Sequence, residues 1–166
     1  MARVIIVDAG PLIALAGIGK LELLRRLFGQ ICIPEAVKQE CLAGNGLDAE
    51  LIQAAISDHW LVVNEEAPNK EKVPIAPSLG AGESEAIVQA MQEPEKSLLI
   101  LDDRLARRYA LRRGLFLIGT ARVLVLAETQ GLIGSADTCI DEMIANGYRI
   151  SRELLDLIRR ETAGEG

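Results

Sequence analysis

Histidine and cysteine are scarce in this chain, and their scarcity excludes several kinds of chemistry. His59 is the only histidine, and it lies in the segment SDHW between an expected helix and an expected strand. A Ser-His-Asp or Cys-His mechanism would have to use that one residue. Cys32, Cys41 and Cys139 are odd in number and widely spaced, a pattern that resembles neither a disulfide framework nor a zinc site. Any catalytic or metal-binding role is therefore expected to fall to other side chains.

Aromatic residues and long apolar runs are also lacking. Aromatics make up only 3% of a chain that is 49% hydrophobic, so the core must consist of Leu, Ile, Val and Ala. No apolar run approaches the roughly 20 residues that a membrane-spanning helix needs, and no signal segment is evident at the N-terminus. We expect a cytoplasmic protein with a single domain over residues 1–166, whose last few residues are disordered. The proline-containing segment 65–78 is expected to be a surface loop of that domain.

Positive charge is in deficit, since the formal net charge is −6. This argues weakly against broad electrostatic adhesion to nucleic acid. One local exception is a helical stripe formed by Arg104, Arg108 and Arg112, which are spaced by four residues. The stripe is either a solvated helix face or a surface that contacts phosphate groups.

Short apolar runs alternate with segments of helical periodicity. The run Val4–Val7 is rich in β-branched residues and is typical of a strand buried on both faces. Similar runs are found at residues 31–33, 61–63, 97–101 and 115–118. Strands that alternate with helices predict an α/β fold with a parallel sheet covered on both faces.

Carboxylates recur where these elements begin or end. The members of this set are Asp8 after the first strand, Glu40 on the helix after the second strand, Glu83 and Glu85 near a later helix start, and Asp102 and Asp103 after the fourth strand. Each alone is explained as a helix cap or a surface charge. Together at the carboxyl edge of one sheet they would repel each other unless a cation were bound. Oxygen ligands favour Mg²⁺ or Mn²⁺, and such a site suits phosphodiester hydrolysis.

Four motifs in order connect the chain with a known family. They are VDAGPLIALAGIGKLELLRRLFG, IPEAVKQE, LGAGESEAI, and LLILDDRLARRYA followed by GT. In these motifs the chain resembles the PIN-domain nucleases, in particular a PIN-like subgroup related to VapC-type toxin ribonucleases. The resemblance implies a three-layer α/β/α sandwich around a mainly parallel five-stranded sheet. It further implies Mg²⁺- or Mn²⁺-dependent cleavage of single-stranded RNA, a small antitoxin protein as partner, and a homodimer.

The same resemblance assigns roles to individual residues. Metal binding and catalysis fall to Asp8, Glu40, Glu83 and Asp103, with Asp102 as a supporting or additional metal ligand. Independently of the resemblance, the position of Arg104, Arg108 and Arg112 beside the acidic pair predicts RNA contacts, and Thr120 is expected to cap a helix or to contact a substrate phosphate.

Two departures from the family pattern leave alternatives open. Gly10 stands where many relatives carry a small hydroxyl residue, and Glu83 stands where aspartate is common, with Glu85 as the other register. One alternative is a catalytically inactive PIN-like module that binds RNA or a protein partner. Another is a phosphoacceptor domain, although its acidic pair would follow the first strand and not the fourth.

Overall fold

The computed structural model describes residues 3–66 and 78–163. Most of the segment expected to be a surface loop, residues 67–77, lies outside the described residues, as do residues 164–166. Within the described part, no helix combines the length and the apolar character that crossing a membrane would require.

Five short strands form one parallel sheet in the order β3-β2-β1-β4-β5. The strands are β1 Val4–Val7, β2 Ile31–Pro34, β3 Leu61–Asn64, β4 Ser97–Ile100 and β5 Phe116–Ile118. The order confirms that the first apolar run is the central strand. The expected mainly parallel, five-stranded sheet is confirmed, and every observed pairing is parallel.

Helices cover both faces of this sheet. Their bounds are α1 Ala9–Gly17, α2 Glu22–Phe28, α3 Glu35–Leu42, α4 Leu47–Ser57, α5 Ala81–Gln92, α6 Arg104–Arg112, α7 Thr120–Thr129, α8 Ala136–Ala145 and α9 Arg152–Ala163. The three-layer α/β/α architecture is therefore confirmed.

Alternation along the strands divides the core into two clusters. Val7 and Ile100 face a larger cluster that includes residues of α1, α7, α8 and α9. Ile6 and Leu99 point the opposite way, into a smaller cluster with α5 and α6. This is the two-residue period of a strand buried on both faces.

The connections place a switch point between β1 and β4. From β1 the chain adds β2 and β3 on one side, and then crosses to add β4 and β5 on the other. Val7 is paired with Ile100, and the Asp8 N–H donates to the Ile100 carbonyl at 3.0 Å. Side chains that follow β1 and β4 thus leave the sheet at one edge, where open α/β sheets bind their ligands.

Candidate functional site

Asp8 leaves β1 at this edge and is buried, with 6% of its surface exposed. It stands at the N-cap position of α1, yet its side chain makes no capping hydrogen bond. Its Oδ1 atom is buried and has no hydrogen-bond partner in the described part of the chain. Burial raises the pKa of Asp8 to about 7; the Ala9 N–H opposes this, while repulsion from Glu83, Glu40 and Asp102 adds to it.

Glu40 approaches Asp8 across Gly82. Glu40 lies on α3 and Gly82 on α5, two helices that pack against each other. A Cβ atom at Gly82 would lie 3.1 Å from Glu40 Oε1 and 3.4 Å from Asp8 Oδ1. Both carboxylate oxygens therefore border the same small space, which the missing side chain of Gly82 leaves open.

Glu83 is the third carboxylate of the group. Its Oε2 accepts a hydrogen bond from the Gly80 N–H at 3.0 Å at the start of α5. Burial raises its pKa, the Gly80 N–H lowers it, and Asp103 and Glu40 raise it further. The charge of Glu83 in turn raises the pKa of Asp8, so Glu83 belongs to this group, while Glu85 stays the other register that the sequence allows.

Asp103 and Asp102 follow β4 but have different partners. Asp103 is exposed and caps α6, where its Oδ1 accepts the Ala106 N–H at 2.8 Å. Asp102 accepts two hydrogen bonds from Thr120, from the N–H at 2.8 Å and from the hydroxyl at 2.6 Å. We call Asp8, Glu40, Glu83, Asp102 and Asp103 the acidic cluster. Within residues 3–66 and 78–163, Asp102 is the one member whose two oxygens both accept hydrogen bonds.

Thr120 does not have the place that the sequence predicts. The expectation that it caps a helix is wrong, because it is the first residue of α7 and the capping position belongs to Gly119. Its side chain is fully buried, and its hydroxyl is directed to Asp102, 18 residues earlier. The structure therefore places Thr120 behind the acidic cluster and not on the arginine-bearing surface.

Tyr148 is a site residue that the sequence analysis missed. It lies in the turn between α8 and α9, and its hydroxyl donates a hydrogen bond to Asp102. Burial and the Asp102 charge raise the pKa of this phenol. No local pattern identifies it, because the contact joins the end of a central strand to a turn far along the chain.

Close packing at Gly119 brings Arg107 to the same place. The Arg107 guanidinium donates to the Leu101 carbonyl at 2.9 Å. A Cβ atom at Gly119 would lie 2.8 Å from Arg107 Nη1 and 3.0 Å from Asp102 Oδ1. A side chain at this position would have to displace the Arg107 guanidinium, so glycine allows the close approach of Arg107 and Asp102.

The predicted arginine stripe borders a cleft next to the acidic cluster. Arg104, Arg108 and Arg112 are exposed on α6, as the periodicity predicts. The cleft has a volume of about 1380 Å³, and its lining includes Asp102 and Asp103 at one end and Tyr148 and Arg149 from the α8–α9 turn. We call it the arginine cleft.

The donor set of the acidic cluster is suited to a hard divalent cation. Carboxylate oxygens are the ligands that Mg²⁺ and Mn²⁺ prefer, and Asp8 Oδ1 has no hydrogen-bond partner among the described residues. No three Asp, Glu, His or Cys side chains in residues 3–66 and 78–163 are already arranged to hold a metal ion. One reason is visible: Glu83 and Asp103 are turned toward backbone N–H groups at helix starts.

Comparisons with known proteins give the family. A family model described as a PIN domain matches residues 4–164, almost the whole chain. The chain has no match among curated proteins. PIN domains are generally nucleases that act on nucleic acid and typically use divalent metals. The resemblance to PIN domains in the four motifs is thereby confirmed, and the chain belongs to the PIN-domain family.

Proposed function

We propose that this protein is a Mg²⁺- or Mn²⁺-dependent endoribonuclease that cleaves single-stranded RNA. The observation that carries the proposal is the state of Asp8, a buried carboxylate without a partner for Oδ1, which faces the Glu40 carboxylate across Gly82. Burying a carboxylate beside other carboxylates costs free energy unless a cation neutralises them. A cation site explains why the fold keeps this arrangement at the switch point of its sheet.

Four members of the acidic cluster are proposed as metal ligands and catalytic residues. Asp8 and Glu40 already border a common space, and Glu83 and Asp103 lie near enough for their charges to interact. A bound divalent cation would supply acidity to a coordinated water and so yield a nucleophile at neutral pH. The carboxylates would determine where the cation and its water lie, and no covalent nucleophile from the chain is required.

Asp102 is proposed to support the site and not to bind the metal. Its oxygens already accept hydrogen bonds from Thr120 and Tyr148. A carboxylate that is hydrogen-bonded behind a metal site orients the groups next to it. Here it would fix the end of β4 and thereby the position of Asp103.

The arginines of α6 are proposed to bind RNA phosphates. Arg104 directly follows Asp103, and Arg108 and Arg112 continue along the same cleft. Guanidinium groups bind phosphates through paired, charge-assisted hydrogen bonds. Thr120 is left out of this set because it is fully buried.

The test is cleavage of a labelled single-stranded RNA with Mn²⁺, compared between the wild-type protein and Asp8→Asn. We expect cleavage by the wild type, none after chelation of the metal, and a loss of at least about 100-fold in the variant, since the cation loses its buried ligand. Glu85→Gln, which changes a carboxylate outside the acidic cluster, should retain activity. Equal cleavage by the wild type and Asp8→Asn would reject the assignment.

A second candidate is a PIN-like module that binds RNA or a protein without cleaving it. Two observations favour it: Gly10 lacks the hydroxyl that many relatives carry, and Glu83 and Asp103 are engaged as helix caps. Titration calorimetry separates the candidates, because the inactive module would show no specific Mn²⁺ binding.

The toxin role, a small antitoxin partner and a homodimer complete the proposal, and they are supported by the family resemblance alone. Two tests apply directly to the protein. Light scattering after gel filtration gives the number of copies. Expression of the wild-type chain alone should arrest growth of the host, whereas expression of Asp8→Asn should not.

A further inference from the structure

The arginine cleft has two walls, which belong to different layers of the fold. One wall is α6, whose Ala106 and Ala110 pack in the smaller core cluster. The other is the α8–α9 turn with the first part of α9, anchored through Ile158 in the larger cluster on the opposite face of the sheet. Residues of both walls line the same cleft, which passes over the β5 edge of the sheet. A ligand in the cleft would therefore touch both layers.

Arginines with no ion-pair partner in the described part of the chain line the cleft from both walls. Arg104, Arg108 and Arg112 come from α6, and Arg149 comes from the α8–α9 turn. All four residues are exposed, and none forms an ion pair with a carboxylate of the described residues. By contrast, Arg122 in the same lining is neutralised by Glu161, with contacts of 2.7 and 3.2 Å. The α9 wall also contributes the Glu153 carboxylate. In a chain of net charge −6, four arginines that lack an ion-pair partner among the described residues still favour a polyanionic ligand.

Arg149 is held in a defined position because its neighbour is tied to the acidic cluster. The Tyr148 hydroxyl donates to Asp102, and the Tyr148 N–H donates to the Met143 carbonyl at 2.9 Å. The turn is thus fixed at both its backbone and its side chain. A cation on a fixed turn loses less conformational entropy on binding than one on a free loop.

We propose that the α8–α9 turn is the second half of the RNA site, and that Arg149 contacts the phosphate backbone from the wall opposite α6. The identity of the ligand rests on the proposed function; the two-walled placement of the charges does not. The apolar side chains of Leu111 and Leu154, which are 60% and 38% exposed in the same lining, give the bases a surface to lie against. Binding of one strand through backbone charge and base contact is typical of proteins that bind without sequence preference.

The experiment measures fluorescence anisotropy of a labelled 12-nucleotide single-stranded RNA with the full chain in EDTA, so that binding is observed without cleavage. Arg149→Gln is compared with Arg152→Gln, a matched control three residues away that is exposed but does not line the cleft. We expect Arg149→Gln to weaken binding about two- to fivefold, and to reduce the slope of log K against log salt by about 0.7. Arg149→Lys should keep the slope, because it keeps the charge.

Each other result overturns the inference. Equal affinity of wild type and Arg149→Gln would show that the α8–α9 turn does not contribute to RNA binding. The proposed nuclease activity would be unaffected by that result, because the cleavage assay tests it separately. An equal loss of RNA affinity in Arg149→Gln and Arg152→Gln would show that binding depends on the overall charge of the protein and not on a contact made by Arg149. Sedimentation velocity without RNA gives the remaining check: if Arg149→Gln dissociates a dimer and leaves RNA affinity unchanged, the cleft is occupied by a second copy of the chain.

Discussion

The Thr120 hydroxyl donates a 2.6 Å hydrogen bond to Asp102 Oδ2, and the Thr120 N–H donates to the other oxygen at 2.8 Å. The first residue of α7 thus closes both oxygens of a carboxylate at the end of β4. We expect Thr120→Val, which keeps the shape and removes the hydroxyl, to lower the free energy of unfolding by about 1–3 kcal/mol, since it removes a partner of a charged group. Urea denaturation at pH 7 measures this.

Thr129→Val is the matched control for that prediction. The Thr129 hydroxyl donates only to the Val125 carbonyl within its own helix, at an exposed helix end. Its removal should change the free energy of unfolding by no more than about 0.5 kcal/mol. Equal losses of unfolding free energy in the two variants would show that the hydrogen bond to Asp102 stabilises the fold no more than the one within α7.

Asp8 makes the stability of the metal-free protein depend on pH. Its pKa is raised in the folded state from 3.8 to about 7, so between these values the folded chain binds more protons than the unfolded chain. The stability from this group is fully present below about pH 4 and is lost as the pH rises through about 7. In EDTA, the gain in unfolding free energy of Asp8→Asn over the wild type should grow over this range and reach about 1–4 kcal/mol at pH 8.

Added Mn²⁺ gives the control for the pH series. At pH 8 it should stabilise the wild type, because a ligand that binds only the folded state raises the free energy of unfolding. Asp8→Asn should respond little. A difference between wild type and variant that stays constant from pH 4 to pH 8 would contradict the raised pKa of Asp8.

Most of the fold follows from local patterns, because the strands are short runs of β-branched residues that no helix-like period competes with. Val4–Val7 is predicted with its observed bounds, and the position of Asp8 after it follows. The approach of Asp102 to Asp8 is also predictable, since it requires only that β1 and β4 end at one sheet edge. The neighbours of each carboxylate are not predictable in this way.

The contacts of Asp102 show why the neighbours of a carboxylate cannot be predicted locally. Its partners are Thr120 and Tyr148, which are separated from it along the chain by α6 and β5 and, for Tyr148, also by α7 and α8. The local sequence predicts that Thr120 caps a helix, because threonine favours the N-cap position. In the folded chain the half-buried Asp102 carboxylate accepts a hydrogen bond from the Thr120 hydroxyl. Tertiary contacts thus decide the role of a residue whose local sequence suggests another.

Glu83 and Glu85 are two residues apart on α5, and the charge of Glu83 interacts with those of Asp8, Glu40 and Asp103. We expect Glu83→Gln to weaken Mn²⁺ binding about tenfold or more, the effect typical of losing a metal contact. Glu85→Gln should bind as the wild type does. Isothermal titration calorimetry at pH 7.5 measures both, and the reverse order of effects would move the third ligand to Glu85.

Gly82 and Gly10 provide a test of the space between the carboxylates. Each is the second residue of its helix, α5 and α1, so alanine is compatible with the backbone at both. A methyl group at Gly82 would lie 3.1 Å from Glu40 Oε1 and 3.4 Å from Asp8 Oδ1, whereas nothing lies within 4 Å of one at Gly10. Gly82→Ala would therefore occupy the proposed cation site, and Gly10→Ala would not.

We expect Gly82→Ala to change the free energy of unfolding by no more than about 1 kcal/mol, because alanine's higher helix propensity offsets the tight contacts. Its Mn²⁺ affinity should fall at least about tenfold, since the methyl group excludes the ion from the position between Asp8 and Glu40. Gly10→Ala should keep wild-type affinity, and denaturation curves of both variants confirm that they are folded. If Gly82→Ala binds Mn²⁺ as the wild type does, the cation does not lie between these two carboxylates, and the ligand set must be centred on Asp103 instead.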